Sequence, residues 1–224
     1  MSDIFREVDE EIRHERFKRL WDRFGPYLIA LAVLIVVGTA AYRGWLYWRE
    51  TQAQASGDVF VSATRLAEDG KFAEAEARLV ELADAQGGYP TLAGMRAAAL
   101  KAEAGDPAAA IAAFDAIADD GRKDPLLRDI ARLRAGYLAM DLEDYAGATS
   151  RFEVLSGDDN AWRFLAREAL ALSAWKQEDA AAARRWIDGI VGQEGAPSDV
   201  VTRARTVLDL INAAEGKPDE EAKS

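Results

Sequence analysis

The 224-residue chain has no cysteine and a single histidine, His14. Disulfides, cysteine-ligated zinc, iron–sulfur clusters and thiol nucleophiles are thereby excluded. A Ser-His-Asp triad or a histidine-rich metal site would have to be built around that one imidazole. Basic residues are outnumbered, 28 Lys and Arg against 39 Asp and Glu, for a net charge of −11. A chain so acidic is poorly suited to displacing counterions from nucleic acid. Beyond Trp48 no run of β-branched residues is long enough to suggest a sheet. What is present is a half-hydrophobic composition with 30% charge, too apolar for wholesale disorder and too charged for a polytopic membrane protein. Acids are plentiful, but they form no organised constellation, so a carboxylate-dependent enzyme is the weaker alternative and no cofactor is expected.

From Phe24 to Tyr42 the chain carries no charge, and Arg23 and Arg43 bound the stretch. As a helix these residues reach about 29 Å, close to the hydrocarbon thickness of a bilayer. Trp21, Phe24 and Tyr27 stand at one end and Trp45, Tyr47 and Trp48 at the other, the placement expected of aromatic rings at the two headgroup levels. Residues 24–48 are therefore expected to form a transmembrane helix with an aromatic belt. Arg13, Arg16, Lys18, Arg19 and Arg23 precede the span, whereas only Arg43 and Arg49 follow it before Arg65. That asymmetry predicts a cytoplasmic N-terminus and an exported C-terminal part. A cleavable signal peptide is the rival, with small residues at Gly38-Thr39-Ala40. The leading segment, with seven acids, is unlike a short basic signal sequence. Residues 1–23 read as a cytoplasmic amphipathic segment, and Gly25-Pro26 argues for a helix break after it. Metal binding by Glu10, Glu11 and His14 is conceivable from their spacing, but a solvated histidine is the simpler reading.

The exported part repeats itself. Gly70-Lys-Phe-Ala-Glu-Ala75 is answered by Gly105-Asp-Pro-Ala-Ala-Ala110, Glu143-Asp-Tyr-Ala-Gly-Ala148 and Glu178-Asp-Ala-Ala-Ala-Ala183. Four positions after each closing alanine stands Leu79, Phe114, Phe152 or Ile187. The small residue permits close approach of two helices and the large one fills the space against the next pair. Gly70 and Gly105 suit a tight turn, from which Glu143 and Glu178 depart. Pro90, Pro125 and Pro197 open intervening helices, with Asn160 at the matching place. Helices are expected near 51–69 and 71–85, 89–104 and 107–119, 124–140 and 143–156, 160–176 and 178–191, with a capping helix near 197–214. The charged tail, 215–224, is expected to be disordered.

This pattern resembles the tetratricopeptide repeat, a helix–turn–helix unit of about 34 residues. The expected fold is all-α: one N-terminal transmembrane helix, then a tetratricopeptide-like solenoid of four helix pairs plus a capping helix over 51–214. Such stacks bind peptides or partner domains. Arg128 and Arg132 recur 35 residues later as Arg163 and Arg167, and Arg203 lies near the next equivalent place. A basic ladder within an acidic domain is a candidate clamp for partner carboxylates. The alternative is a set of arginines paired with neighbours such as Asp129 and Glu168. Trp162 and Trp175 in the aromatic-rich last repeat are further candidate anchors, beside Phe164 and Trp186.

With its short charged N-terminus, one span, the run Gly44-Trp45-Leu46-Tyr47-Trp48 and the repeats, the chain resembles the ancillary SecYEG translocon subunit (YfgM-like) family. That resemblance implies a non-enzymatic bacterial inner-membrane protein with a periplasmic repeat domain. Its implied partners are the Sec translocon, periplasmic chaperones and exported chains. An envelope scaffold for cell division or outer-membrane assembly is the alternative.

Overall fold

The computed structural model describes residues 3–216, with side chains at Lys18 and from Arg23 onward. The amphipathic pattern expected over residues 1–23, with His14 and the side chain of Trp21, and the tail from residue 217, lie outside the described residues. The chain divides into two compact units, residues 1–55 and 56–224.

The first unit is helical throughout its described length. Helix α1 (Asp3–Glu68) carries Pro26 in its interior, so the break expected at Gly25-Pro26 is not made. A proline in mid-helix removes one backbone donor and crowds the carbonyl four residues earlier, which bends a helix but need not end it. Here the following residues, Leu28 to Val37, are strong or adequate helix formers with one uninterrupted apolar character.

The second unit consists, among the described residues, of helix pairs. The C-terminal part of α1 pairs with α2 (Phe72–Val80), α3 (Tyr89–Glu103) with α4 (Pro107–Asp119), α5 (Pro125–Asp141) with α6 (Tyr145–Glu153), and α7 (Arg163–Lys176) with α8 (Ala180–Asp188). Helix α9 (Ser198–Ala214) closes the stack through Val200, Ala204, Val207 and Ile211, which share a core with Ala183 and Ile187 of α8. Each repeat has its own apolar cluster, as expected where contacts run only between neighbours. Ala75, Ala110, Ala148 and Ala183 are all fully buried, and Leu79, Phe114, Phe152 and Ile187 are buried beside them.

Helices α2, α6 and α8 stop three to five residues before the expected ends. Their last turns tighten: the amides of Leu82, Leu155 and Ile190 donate to the carbonyls of Leu79, Phe152 and Ile187, three residues back. The tighter turn swings one more apolar side chain inward, and Leu82, Leu155 and Ile190 are buried in consequence.

The turns within the four pairs are alike despite their different residues. Gly70 and Gly105 have φ of 76° and 89°, and Glu143 and Glu178, which depart from glycine, take the same left-handed backbone at 60° and 62°. In each turn the next residue's amide reaches back five residues, from Lys71 to Leu66, Asp106 to Lys101, Asp144 to Ala139 and Asp179 to Ala174. This bond closes the leading helix with a Schellman-type cap. Asp106, Asp144 and Asp179 then open the trailing helices by accepting from the amides of Ala109, Gly147 and Ala182 at 3.0, 2.9 and 2.8 Å. Within α5, Gly136 meets the fully buried ring of Phe152: a Cβ there would lie 2.6 Å from the ring edge.

Two outcomes follow for urea unfolding of the full-length chain. Glu143→Gly and Glu178→Gly should each stabilise the repeats by up to about 1 kcal/mol, because a left-handed backbone strains any residue with a Cβ. Gly136→Ala should destabilise by about 1–3 kcal/mol despite alanine's better helix propensity, and a smaller residue at Phe152 should relieve part of that loss.

Candidate functional site

The arginine ladder is built by the leading helices. Arg128 and Arg132 project from one face of α5, Arg163 and Arg167 from the matching face of α7. Their donors turn toward neighbouring helix ends. Arg128 Nε donates to the carbonyl of Ala118 at 2.8 Å, and Arg132 donates to the same carbonyl at 3.3 Å and to Asp119 at 3.1 Å. Arg132 also lies 3.6 Å from Asp129. Arg167 donates from Nε and Nη2 to the Ser156 carbonyl at 3.0 and 2.8 Å, and from Nη1 to the Gly189 carbonyl at 2.8 Å. Its third partner is Asp158. Carbonyls at a helix C-terminus have no intrahelical donor and carry the negative end of the dipole, so a guanidinium satisfies both demands. Arg163 ties no other helix: it sits 4.2 Å over the Phe164 ring and donates to the nearby Asn160 carbonyl at 3.2 Å.

A second charged cluster joins Arg203 to Glu168, one of the acids that the sequence offers as an arginine partner. Glu168 of α7 is only 6% exposed, yet it is a carboxylate. Arg203 of α9 grips it through both oxygens, with the Nη2 bond at 2.8 Å, and also holds Asp199 at 3.0 Å. The two carboxylates raise the Arg203 pKa, first through the hydrogen bonds to Glu168 and then through those to Asp199. Tyr137 of α5 faces the same cluster; its pKa is raised first by burial and then by the Glu168 charge. A signal for the burial of Glu168 did exist: it stands 35 residues after the buried Leu133, in a repeat register that demands an inward side chain. Arg203 follows another 35 residues on.

Of the aromatic candidates, Trp162 is half-buried against the α6–α7 core, and its Nε1–H is enclosed without a hydrogen-bond acceptor among the described residues. Trp175 is half-buried against the last core cluster. In the first unit Tyr27 and Tyr47 are 74% exposed and Trp45 and Trp48 each 49% exposed. The Arg49 guanidinium lies 4.8 Å over the Trp45 ring. Across the intervening segment Leu28, Leu34, Val36 and Val37 all project outward.

Stacked helix pairs with alanine contacts, left-handed turns and one core per repeat define a helical-repeat protein of the kind used for protein–protein interaction. The sequence matches the tetratricopeptide repeat-like domain family over residues 18–185, and the chain belongs to that family. The matched region includes the uncharged stretch from Phe24 to Tyr42. No curated protein matches the chain.

The two charged clusters should respond differently to substitution. Arg167→Gln strips donors from two helix-end carbonyls and should cost about 1–3 kcal/mol in unfolding free energy. Arg163→Gln should cost less than about 1 kcal/mol. Arg203→Ala leaves the buried Glu168 carboxylate unpaired and should lower the melting temperature, and adding Glu168→Gln should recover most of that loss.

Proposed function

We propose that this chain is a non-enzymatic membrane-anchored scaffold, with the helix at residues 24–48 crossing the bacterial inner membrane and the repeat domain in the periplasm. The carrying observation is the outward projection of the apolar side chains between Tyr27 and Trp48. A continuous apolar surface of this kind is unfavourable in water and stable in lipid. One helix among the described residues is long and apolar enough to cross a membrane. The excess of Lys and Arg before residue 24 supports a cytoplasmic N-terminus.

On this reading the repeats recruit protein partners beside the Sec translocon, either chaperones or emerging exported chains. Tethering raises their effective concentration there and turns weak contacts into frequent ones. Arg128, Arg132 and Arg167 serve chiefly to hold helix ends together, because each donates to a carbonyl at the end of a trailing helix. Trp162, Trp175 and Arg163 are the proposed partner contacts, with the Arg163 bond made beside its own helix.

In vivo photocrosslinking from positions along residues 24–48 and from α3 should capture translocon subunits or periplasmic chaperones, identified by mass spectrometry. Recovery of division or outer-membrane assembly proteins in their place would contradict the export reading. External protease on spheroplasts should digest the repeats and spare an N-terminal tag. A soluble product beginning near Ala41 would contradict the anchor.

A further inference from the structure

The N-termini of α4, α5, α6 and α8 are each closed by a carboxylate of the chain itself: Asp106, Asp124, Asp144 and Asp179. Helices α2, α3, α7 and α9 have no such side-chain cap, and of these α3 begins at a glycine, Gly88. The amides of Tyr89 and Thr91 in α3 have no carbonyl before them in the helix to receive their protons, and they lie at the positive end of the α3 dipole.

This helix end opens onto a cavity of about 570 Å³ between the Gly87-Gly88 turn and the α4–α5 connection. Thr91 lines it and is only 9% exposed, yet its hydroxyl makes no hydrogen bond among the described residues. Lys123 and Leu127 form the opposite wall. The two acids lining the cavity are already engaged. Asp124 accepts from the amides of Leu126 and Leu127, at 2.9 and 3.4 Å. Asp120 accepts two side-chain bonds and one backbone bond from Arg122, whose hydrogen bonds hold its carboxyl down at about 2. Lys123 Nζ stands 3.9 Å from Asp120, a loose pairing that leaves the ammonium available. A Cβ on Gly88 would meet nothing within 4 Å, so the space beside the helix end is open.

We propose that this cavity binds a carboxylate of a partner chain, which caps α3 in trans. The carboxylate accepts from the Tyr89 and Thr91 amides and the Thr91 hydroxyl, and Lys123 supplies the opposing charge. Leu127 gives an apolar wall to the residue that bears it. The chemistry copies what Asp106, Asp144 and Asp179 do in cis, and it is independent of where the protein resides. The carboxylate comes from a chain end or from an acidic side chain.

The test is a titration of ¹⁵N-labelled full-length protein in nanodiscs of uncharged lipid. The probes are acetyl-Ala-Ala with a free carboxylate, acetyl-Asp-amide, acetyl-Ala-Ala-amide and inorganic phosphate. At least one carboxylate probe should shift the Tyr89 and Thr91 amide resonances saturably, and the amidated dipeptide should not. The tighter of the two carboxylate probes identifies the source, chain end or side chain. Thr91→Val should weaken binding about tenfold, as expected for a lost hydrogen bond to a charged group, without lowering the melting temperature. Gly88→Asp, which sets a carboxylate of the chain itself beside the open first turn, should weaken binding of both carboxylate probes. The assignment is overturned by any of three results: no saturable shift with either carboxylate probe, tighter binding of phosphate than of both, or undiminished binding to folded Gly88→Asp protein.

Discussion

Everything in the repeat domain depends on one steric condition: a methyl group, and nothing larger, where the trailing helix of each pair crosses its neighbours. Ala75, Ala110, Ala148 and Ala183 meet that condition with no exposed surface. Close approach then lets Leu79, Phe114, Phe152 and Ile187 fill the space one turn on, and the tightened final turns bring in Leu82, Leu155 and Ile190. In α5 even a methyl is too large, and Gly136 receives the Phe152 ring directly. Interiors packed at this density transmit any volume error to the backbone, so the alanine register constrains the sequence more than any charged pair does.

The polar devices are layered on that packing and can vary from repeat to repeat. Helix ends need donors and acceptors, and the repeats supply them unequally. Aspartates close the N-termini of four helices, and arginines of α5 and α7 close the C-termini of the trailing helices beside them. Helix α3 has Ala93 and Ala97 where α5 has Arg128 and Arg132, and Gly88 where α4, α5, α6 and α8 have an aspartate cap. The first half of the domain therefore has fewer internal polar ties than the second, and it is there that uncommitted donors face a cavity. Glu168 and Arg203 illustrate the opposite case, in which a carboxylate occupies a core position and is held by an arginine from the capping helix.

How much of this could be read in advance follows from what each feature depends on. Helix positions and pairing were legible because the alanine-plus-four pattern recurs every 35 to 38 residues, and periodic burial is a strong signal. Turn geometry at Glu143 and Glu178 was not legible from residue type, because the Schellman-type bonds and the following aspartate caps compel a left-handed backbone that glutamate alone would avoid. Pro26 predicts a break, yet α1 continues through it, since one missing donor does not outweigh a long run of helix formers. The ladder's spacing was visible, but the direction of its guanidiniums was not. A basic residue near a helix end reaches toward a partner or toward unpaired carbonyls, and only three-dimensional proximity to Ala118, Ser156 and Gly189 decides between them.

The most direct test of the packing account compares two alanines on one helix. Ala148 is fully buried and Ala146, two residues earlier on α6, is exposed. Equilibrium unfolding of full-length Ala148→Leu should show a loss of about 1–3 kcal/mol or more from overpacking, whereas Ala146→Leu should lie within about 0.5 kcal/mol of the parent chain. Equal stabilities for the two variants would contradict the claim that the alanine register holds the repeats together.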